Sequence, residues 1–381
     1  MPTTAEYLND LVAQKNSLAQ TLANNGVEVG ENETFSTLVP KANAKIKSSV
    51  DIIEAHSGAA QFEYANSHAT EVPDYAFYRC SGLTSVELQN ATSVGNYAFY
   101  RCSNLKTLEL TNLISFPGVY TFSGCASLVS LSFLNLTTIG NGGASNTFAG
   151  CSNLEVVDVP NLTEIRYATN NGYIFANCTS LRIARFNSLK SVPNQMFNGC
   201  HALEEIHMPE ATAAANWAFA NCSVPRLSLP KMEIFAADNT FTGSKIPIIE
   251  LPSILSIKYD KTFSSCRNTH TLVLGTSNTS VLEMYLSSNQ FGLCSALRNL
   301  TVNCTIKRYA GTNLSLKSCP LTLESAKSVI SALYDYSGTD EEFAYSLTLS
   351  TDTIALLEAE GTTAPGGLTW VDYANSKGWN I

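Results

Sequence analysis

The sequence predicts an α/β solenoid, in which short parallel strands lie on one face and the returning segments are mostly irregular. Two observations predict it. The pattern F-x-x-C-x-x-L-x-x-L-x-L recurs along the chain, and its commonest step is 22 residues, as from Phe77 to Phe99. At the end of each copy apolar residues alternate with polar ones, as in Val86-x-Leu88, which is typical of a strand with one buried face. One such strand cannot bury its apolar side alone, so the copies must stack as coils around a shared core.

The clearest copies carry a phenylalanine, a cysteine and a leucine at equivalent positions. These anchors are Phe77/Cys80/Leu83, Phe99/Cys102/Leu105, Phe122/Cys125/Leu128, Phe148/Cys151/Leu154, Phe175/Cys178/Leu181 and Phe197/Cys200/Leu203. Looser copies continue as far as Leu297. The alternation predicts one strand in each of ten copies. The strand centres are Val86, Leu108, Leu131, Val157, Ala184, Ile206, Leu227, Ile249, Leu272 and Leu300.

The recurring Ala-Phe-x-x-Cys before the leucines, as at 76–80 and 98–102, resembles the BspA-type bacterial leucine-rich repeat. The resemblance covers residues from about 69 to 302, and it implies a solenoid that serves as a binding surface. Two flanking segments resemble other proteins. The segment ETFSTLVPK at 33–41 is similar to short N-terminal helical segments of phage tail and baseplate-associated proteins. The tail at 319–381 is similar to the module that follows such repeats in phage tail and gut-bacterial proteins.

The chain divides into three predicted parts. Residues 1–47 form a helical attachment and oligomerisation segment, residues 48–320 form the solenoid with an N-terminal cap at about 48–68, and residues 321–381 form an α+β capping module. Helices are predicted over 1–25 and 34–47. An apolar seam in the first helix either drives self-association, with a trimer implied by the resemblance to tail fibres, or packs on the first repeat. The seam residues are Leu8, Leu11, Leu18 and Leu22.

The C-terminal module is predicted to contain a helix marked by Ala326, Val329, Ile330 and Leu333. A strand at 343–349 and helices at 353–360 and 370–377 follow. A module here acts as a cap, because the open end of a solenoid exposes apolar core and an unpaired strand edge.

Composition excludes several classes of protein. The 381 residues are 45% hydrophobic and only 14% charged, with a net charge of −9. A nucleic-acid binder needs a basic patch, which this sequence lacks. No apolar run reaches the length of about 18 residues that a membrane-spanning helix needs. The N-terminal residues also lack the basic and apolar regions of a secretory signal.

The cysteines are predicted to be structural. Nine of the eleven, from Cys80 to Cys294, fall in one column of the repeat. Side chains of an in-register stack point the same way, which suits disulfide geometry badly, so we expect small buried hydrophobes. Cys304 and Cys319 fall outside the column and are left unassigned. There is no C-x-x-C, and the five histidines are scattered. The sequence therefore predicts no metal, no cofactor and no enzymatic activity.

The candidate binding residues are outward positions of the strands and two longer turns between coils. The face that the strands form is called the sheet face below. Its candidates are Glu87, Glu109, Ser132, Asp158, Arg185 and His207. The longer turns, at 140–147 and 166–174, are expected to lie side by side at one edge. Their candidates are Asn141, Tyr167 and Tyr173.

Each of these sets has a second interpretation. Asp158 and Arg185 occupy equivalent positions on adjacent strands, and Arg182 stands between Glu155 and Glu204 in the same way. Opposite charges side by side in a sheet stabilise each other, so the face is either a set of ion-pair ladders or a polar binding face that uses them. The Gly/Asn-rich turns either carry binding residues or only fill space.

Three functions remain for a chain of this kind, one favoured and two alternatives. The first is a phage tail-associated receptor-binding or adhesion protein of the virion, which recognises a host cell-surface protein or glycan and contacts other tail proteins through its N-terminal segment. The alternative is a bacterial cell-surface adhesin with the same repeats, or a purely structural component of the tail or baseplate. The lack of a signal sequence favours the virion. No nucleic acid and no membrane insertion are expected.

Overall fold

The computed structural model describes residues 61–381 apart from seven short gaps, together with Lys15, Asn16, Ala19 and Gln20, which are helical. The gaps are 168–171, 236–237, 258–260, 277–279, 285–289, 309–312 and 340–344. The predicted helices at 1–25 and 34–47, with the apolar seam, otherwise lie outside the described residues. So does the predicted cap up to residue 60.

The chain winds into a solenoid with two columns of parallel strands. The first column contains the ten predicted strand centres, which are all confirmed, and one earlier strand. Its strands are β1 (Phe62–Ala65), β3 (Leu83–Glu87), β5 (Thr107–Glu109), β7 (Ser130–Ser132), β9 (Val156–Asp158), β11 (Ile183–Arg185), β13 (Glu205–His207), β15 (Arg226–Ser228), β17 (Ile248–Leu251), β19 (Thr271–Leu274) and β21 (Asn299–Val302). Hydrogen bonds group them as β1-β3-β5, β7-β9-β11-β13 and β15-β17-β19-β21.

The returning segments form a second parallel column, where the sequence predicted mostly irregular structure. Its strands are β2 (Glu71–Val72), β4 (Ser93–Val94), β6 (Ser115–Phe116), β8 (Thr138–Ala144), β10 (Glu164–Tyr167), β12 (Ser191–Val192), β14 (Ala213–Ala214), β16 (Ile234–Phe235), β18 (Ser256–Ile257), β20 (Val281–Met284) and β22 (Thr305–Arg308). Most have two residues, of which the second is buried, as in Val94. A segment of that length is too short for alternation to reveal it.

A stack of phenylalanines runs through the turn that leads from the second column to the first. Consecutive rings from Phe77 to Phe291 are nearly parallel, with centroids 5.0–6.2 Å apart. The anchor cysteines and leucines are buried beside them. Large buried aromatic rings contribute strongly to a core. The repeated Phe, Cys and Leu therefore fix the cross-section of every coil.

The solenoid begins earlier than the sequence indicated. β1 pairs in parallel with β3, so regular coil structure starts inside the predicted cap at about 48–68. Tyr64 is the reason, because its side chain is buried and its ring meets Phe77 at a centroid distance of 4.9 Å. The Tyr64 ring meets Phe77 edge-on, with planes 66° apart, and so covers the first end of the stack.

The C-terminal region is α+β, as predicted. It contains β23 (Asn313–Leu316), α1 (Leu323–Ala332), β24 (Tyr345–Leu349), α2 (Thr351–Ala359), a 3-10 turn (Pro365–Gly367), α3 (Trp370–Ser376) and β25 (Trp379–Asn380). The strands form a parallel sheet in the order β23-β24-β25. Each helix starts at a hydroxyl side chain that accepts a backbone N–H from the first turn: Thr322, Ser350 and Thr369. Such N-caps are worth about 1 kcal/mol each.

Helix α1 covers the open edge of the first strand column. The Ser325 hydroxyl accepts the Leu300 N–H, and the Ser328 hydroxyl accepts the Val302 N–H, both at 2.9 Å. These two N–H groups belong to β21, the last strand of its column. An exposed strand edge invites pairing with another chain, and here two helical hydroxyls take its donors.

Candidate functional site

The sheet face is built by the outward side chains of the first column, and its register follows the repeat. Arg185 lies opposite Asp158 on one side and His207 on the other. Ser132 lies opposite Asp158, and Glu87 lies opposite Glu109. These six candidates therefore form two adjacent groups on one surface, and all are exposed or half-exposed. Val86 and Leu131, beside them in sequence, are buried.

The ion pairs on this face differ in part from the sequence prediction. Arg182 binds Glu204 through two hydrogen bonds of 2.9 Å, as predicted. Arg185 does not pair with Asp158. Its guanidinium forms two hydrogen bonds of 3.2 Å with Glu205 instead. Glu205 lies on the next strand, two positions before His207, and its longer side chain presents both oxygens to the guanidinium fork.

The pairing shifts the pKa values of Arg182 and Glu204 away from neutral pH. The Arg182 hydrogen bond lowers the pKa of Glu204, and Glu204 in turn raises the pKa of Arg182. Both groups are at least half exposed, so water and salt screen the interaction. The pairs orient charged groups at the surface rather than stabilise the fold. A ligand with both acidic and basic groups can bind these arginines and glutamates in place of their present partners.

The N-terminal end of the face is acidic and polar. Glu87 and Glu109 lie side by side, and both are exposed. On the same two strands the Thr107 hydroxyl donates to the Ser85 hydroxyl at 2.8 Å. The sheet face therefore changes along the solenoid from carboxylates and hydroxyls to a mixed set of carboxylates, guanidinium groups and imidazole.

The longer turns are more regular than the sequence indicated. Asn141 lies within β8, which runs through the first insertion and pairs with β10 across a bulge. Gly140 permits this, since its φ is 92° and an added Cβ would lie 2.1 Å from the Arg166 carbonyl oxygen. Tyr167 ends β10 and packs against the core, and burial raises its pKa. It is a poor candidate for a surface anchor.

Tyr173 occupies a special backbone position. Its φ is 41°, and the equivalent residues of the first three coils, Tyr75, Tyr97 and Tyr120, also have positive φ. Non-glycine residues rarely adopt this conformation, so each coil turns sharply two residues before its phenylalanine. The turn places the tyrosine side chain at the edge of the solenoid and not on the sheet face.

A cluster of aromatic and basic side chains at this edge was missed by the sequence analysis. Tyr75 stacks on Tyr97 with centroids 5.1 Å apart and planes 1° apart, and Tyr97 stacks on Tyr120 at 5.3 Å and 8°. A second stack joins Tyr78 and Tyr100 at 5.3 Å. Two arginines lie against it. The tyrosine–arginine cluster comprises Tyr75, Tyr78, Tyr97, Tyr100, Tyr120, Arg79 and Arg101.

Two sequence repeats build this cluster. The segment YAFYRC occurs at 75–80 and again at 97–102, so each tyrosine and arginine has a copy one coil away. The guanidinium carbons of Arg79 and Arg101 each lie 5.2 Å from the ring centre of the preceding tyrosine, Tyr78 or Tyr100. Cation–π contacts of this kind hold the arginine over its ring.

The described part of the chain contains no arrangement typical of a metal site. No group of three or more His, Cys, Asp or Glu side chains in it is placed to hold an ion. His201 and His207 are both exposed. No helix among the described residues is long and apolar enough to cross a membrane.

These features define the class of protein. Stacked coils with a buried Phe-x-x-Cys-x-x-Leu column and parallel strands form a leucine-rich repeat solenoid. The model of the BspA type leucine-rich repeat region matches residues 55–181, 144–236 and 190–319, which together span well over half of the chain. The chain therefore belongs to the BspA-type leucine-rich repeat family.

Two solved structures are similar to this chain. One is a leucine-rich repeat protein from Bacteroides ovatus ATCC 8483, with 21% identity over 67% of this chain and 69% of that chain, and a TM-score of 0.44. The other is a leucine rich cell surface protein from Faecalibacterium prausnitzii A2-165, with 16% identity over 78% of this chain and 90% of that chain, and a TM-score of 0.36. No curated protein matches the chain.

Proposed function

We propose that this chain is a non-enzymatic binding protein, and that its sheet face recognises a protein or glycan on a host-cell surface. The observation that carries the proposal is the mixed, exposed group around Arg185, His207 and the Arg182–Glu204 pair, held in register by parallel strands. Regular strands fix the backbone that carries these side chains, so little conformational freedom is lost when a partner binds. Solenoids commonly use such extended faces for binding.

The setting that we propose is the phage tail, in which residues 1–47 attach the chain to other tail proteins and form a homotrimer. Its support is the resemblance of residues 33–41 to tail and baseplate-associated segments. A bacterial cell-surface adhesin is the second candidate, and membership of the BspA-type family favours it. A purely structural tail component would have the same location as the first but no cellular ligand.

Imaging and binding together distinguish these candidates. Gold-labelled antibody against the chain locates it on phage particles or on cell envelopes in electron micrographs. Fluorescent full-length protein is then applied to a panel of bacterial and epithelial cells. A receptor-binding tail protein labels virions and binds host cells. An adhesin labels the producing cell and binds another surface. A virion label without any cell binding supports the structural role and contradicts recognition.

A further inference from the structure

Four tyrosines of the tyrosine–arginine cluster offer hydroxyl groups that no other described residue uses. The hydroxyls of Tyr75, Tyr97, Tyr100 and Tyr120 form no hydrogen bond within the described part of the chain, and they are not among its buried unpartnered polar atoms. They therefore face solvent. The ring faces are covered by the stack, so a ligand meets ring edges and hydroxyls. Each hydroxyl both donates and accepts.

Arg101 adds a positive charge to this surface. Its side chain is exposed and lies over Tyr100, and it has no carboxylate partner among the described residues. This distinguishes it from Arg182, Arg185 and Arg226, which each bind a glutamate. A guanidinium in this state can bind a carboxylate or sulfate through two parallel hydrogen bonds.

The spacing of the rings selects the shape of the ligand. Tyr75, Tyr97 and Tyr120 repeat every 5.1–5.3 Å along the solenoid axis. An extended peptide advances about 3.3 Å per residue, so its side chains on one side recur at roughly 6.6 Å and lose register with the rings. In a polysaccharide whose pyranose units are joined through equatorial bonds at C1 and C4, the length per sugar is close to the ring spacing. Successive sugars can therefore meet successive tyrosine edges.

We propose that the tyrosine–arginine cluster binds an acidic linear polysaccharide, with its sugar hydroxyls on the tyrosine edges and a carboxylate or sulfate on Arg101. This site lies at the turn before the first strand column and is separate from the sheet face. Arg185 and His207 take no part in it. The Tyr97 hydroxyl is a donor at neutral pH, as an ordinary phenol is, and burial and the neighbouring phenols raise its pKa further.

The test is isothermal titration of the full-length protein with β-1,4-linked hexamannuronate and with its methyl ester, which keeps the sugars and removes the charge. We expect the parent to bind the acid and to bind the ester at least tenfold more weakly. Arg101→Gln should weaken binding of the acid about tenfold or more, and Tyr97→Phe about threefold, the ratios expected for losing a charged and a neutral hydrogen bond. Tyr97→Phe keeps the ring and its stack.

Tyr373→Phe is the matched control, because the Tyr373 ring also lies beside a basic side chain, with the Lys377 ammonium 4.9 Å from its centre, but belongs to α3 and lies outside the cluster. It should bind like the parent, and melting temperatures should show that all variants are folded. The proposal is overturned if the parent does not bind hexamannuronate, if the ester binds as tightly as the acid, or if Arg101→Gln binds unchanged. Equal affinity for polyglutamate would also overturn it, since a charged peptide would then suffice.

Discussion

The thiol of Cys102 donates a hydrogen bond to the carbonyl oxygen of Phe77 in the preceding coil, at a sulfur–oxygen distance of 2.9 Å. The same bond joins most neighbouring coils. The further pairs are Cys125–Phe99, Cys151–Phe122, Cys178–Phe148, Cys200–Phe175, Cys266–Phe241 and Cys294–Phe263. All eleven cysteines are buried, and none of them forms a disulfide. The column of thiols is thus a column of weak donors that links most coils to the one before.

Cys102→Ala should lower the free energy of unfolding by about 1–2 kcal/mol. The change removes one weak hydrogen bond and leaves a small cavity. The Phe77 carbonyl still accepts the Cys80 N–H, which keeps the loss modest. Chemical denaturation measures the effect, with exposed Ser103→Ala as the control. Equal free energies for the two variants would show that the thiol bond contributes nothing.

Stability should fall at alkaline pH because of the buried thiols. Burial raises the pKa of Cys200 from 9.0 to about 12, and that of Cys304 to about 11. The folded chain therefore holds these protons more tightly than the unfolded chain. The contribution is complete below pH 9 and is lost as pH rises from 9 through the folded pKa values.

Denaturant midpoints at about pH 8 and about pH 10.5 test this linkage. Cys200→Ser removes one of the titrating thiols, so its midpoint should fall less than that of the parent over the same range. An identical pH dependence in Cys200→Ser and the parent would count against the raised pKa of Cys200.

The cysteines should also be unreactive in the folded protein. A thiol reagent at neutral pH should find few reactive groups in the native protein and all eleven after denaturation without reductant.

The alternation of the first strand column is tested within one strand. Leu131 is buried and Ser132 is exposed, although they are adjacent in β7. Leu131→Asn should lower the free energy of unfolding by about 3–5 kcal/mol, because it leaves a cavity and a buried amide. Ser132→Asn, the same new side chain one position later, should change it by less than about 0.5 kcal/mol. Similar losses in both variants would contradict the packing.

Self-association tests the N-terminal segment. The seam Leu8, Leu11, Leu18 and Leu22 is expected to assemble the chain as a trimer, and deletion of residues 1–47 should leave a folded monomer. Light scattering at micromolar concentration measures both species. A full-length chain that is already monomeric rules out this role for the seam.

The first strand column could be predicted because its strands alternate and recur at fixed spacing. Val86, Leu108 and Leu131 stand at equivalent places in successive copies, and a parallel stack is the one way to bury them together. The second column was not predictable in the same way. In β4, which has two residues, only Val94 is buried. A single apolar position cannot show the alternation that marks a strand.

The candidate site was predicted only in part, for physical reasons. Register placed Arg185 opposite Asp158 correctly, but side-chain length decided that its guanidinium binds Glu205. The two tyrosine stacks were overlooked because only the phenylalanine and cysteine of YAFYRC were taken as repeating. The sequence did contain the information, because identical residues one repeat apart lie above one another in a solenoid.

Recognition through the sheet face is the central claim. The most direct test measures how variants of that face bind a cell type that the parent protein binds. Arg185→Glu combined with His207→Glu reverses the charge at the centre of that face. Lys190→Glu combined with Lys231→Glu is the matched control, because both lysines are exposed and follow the strands rather than lie on them. We expect the first pair to lose most of the cell binding, the control pair to keep it, and both to melt near the parent temperature. Unchanged binding by the first pair would place recognition elsewhere and contradict the claim.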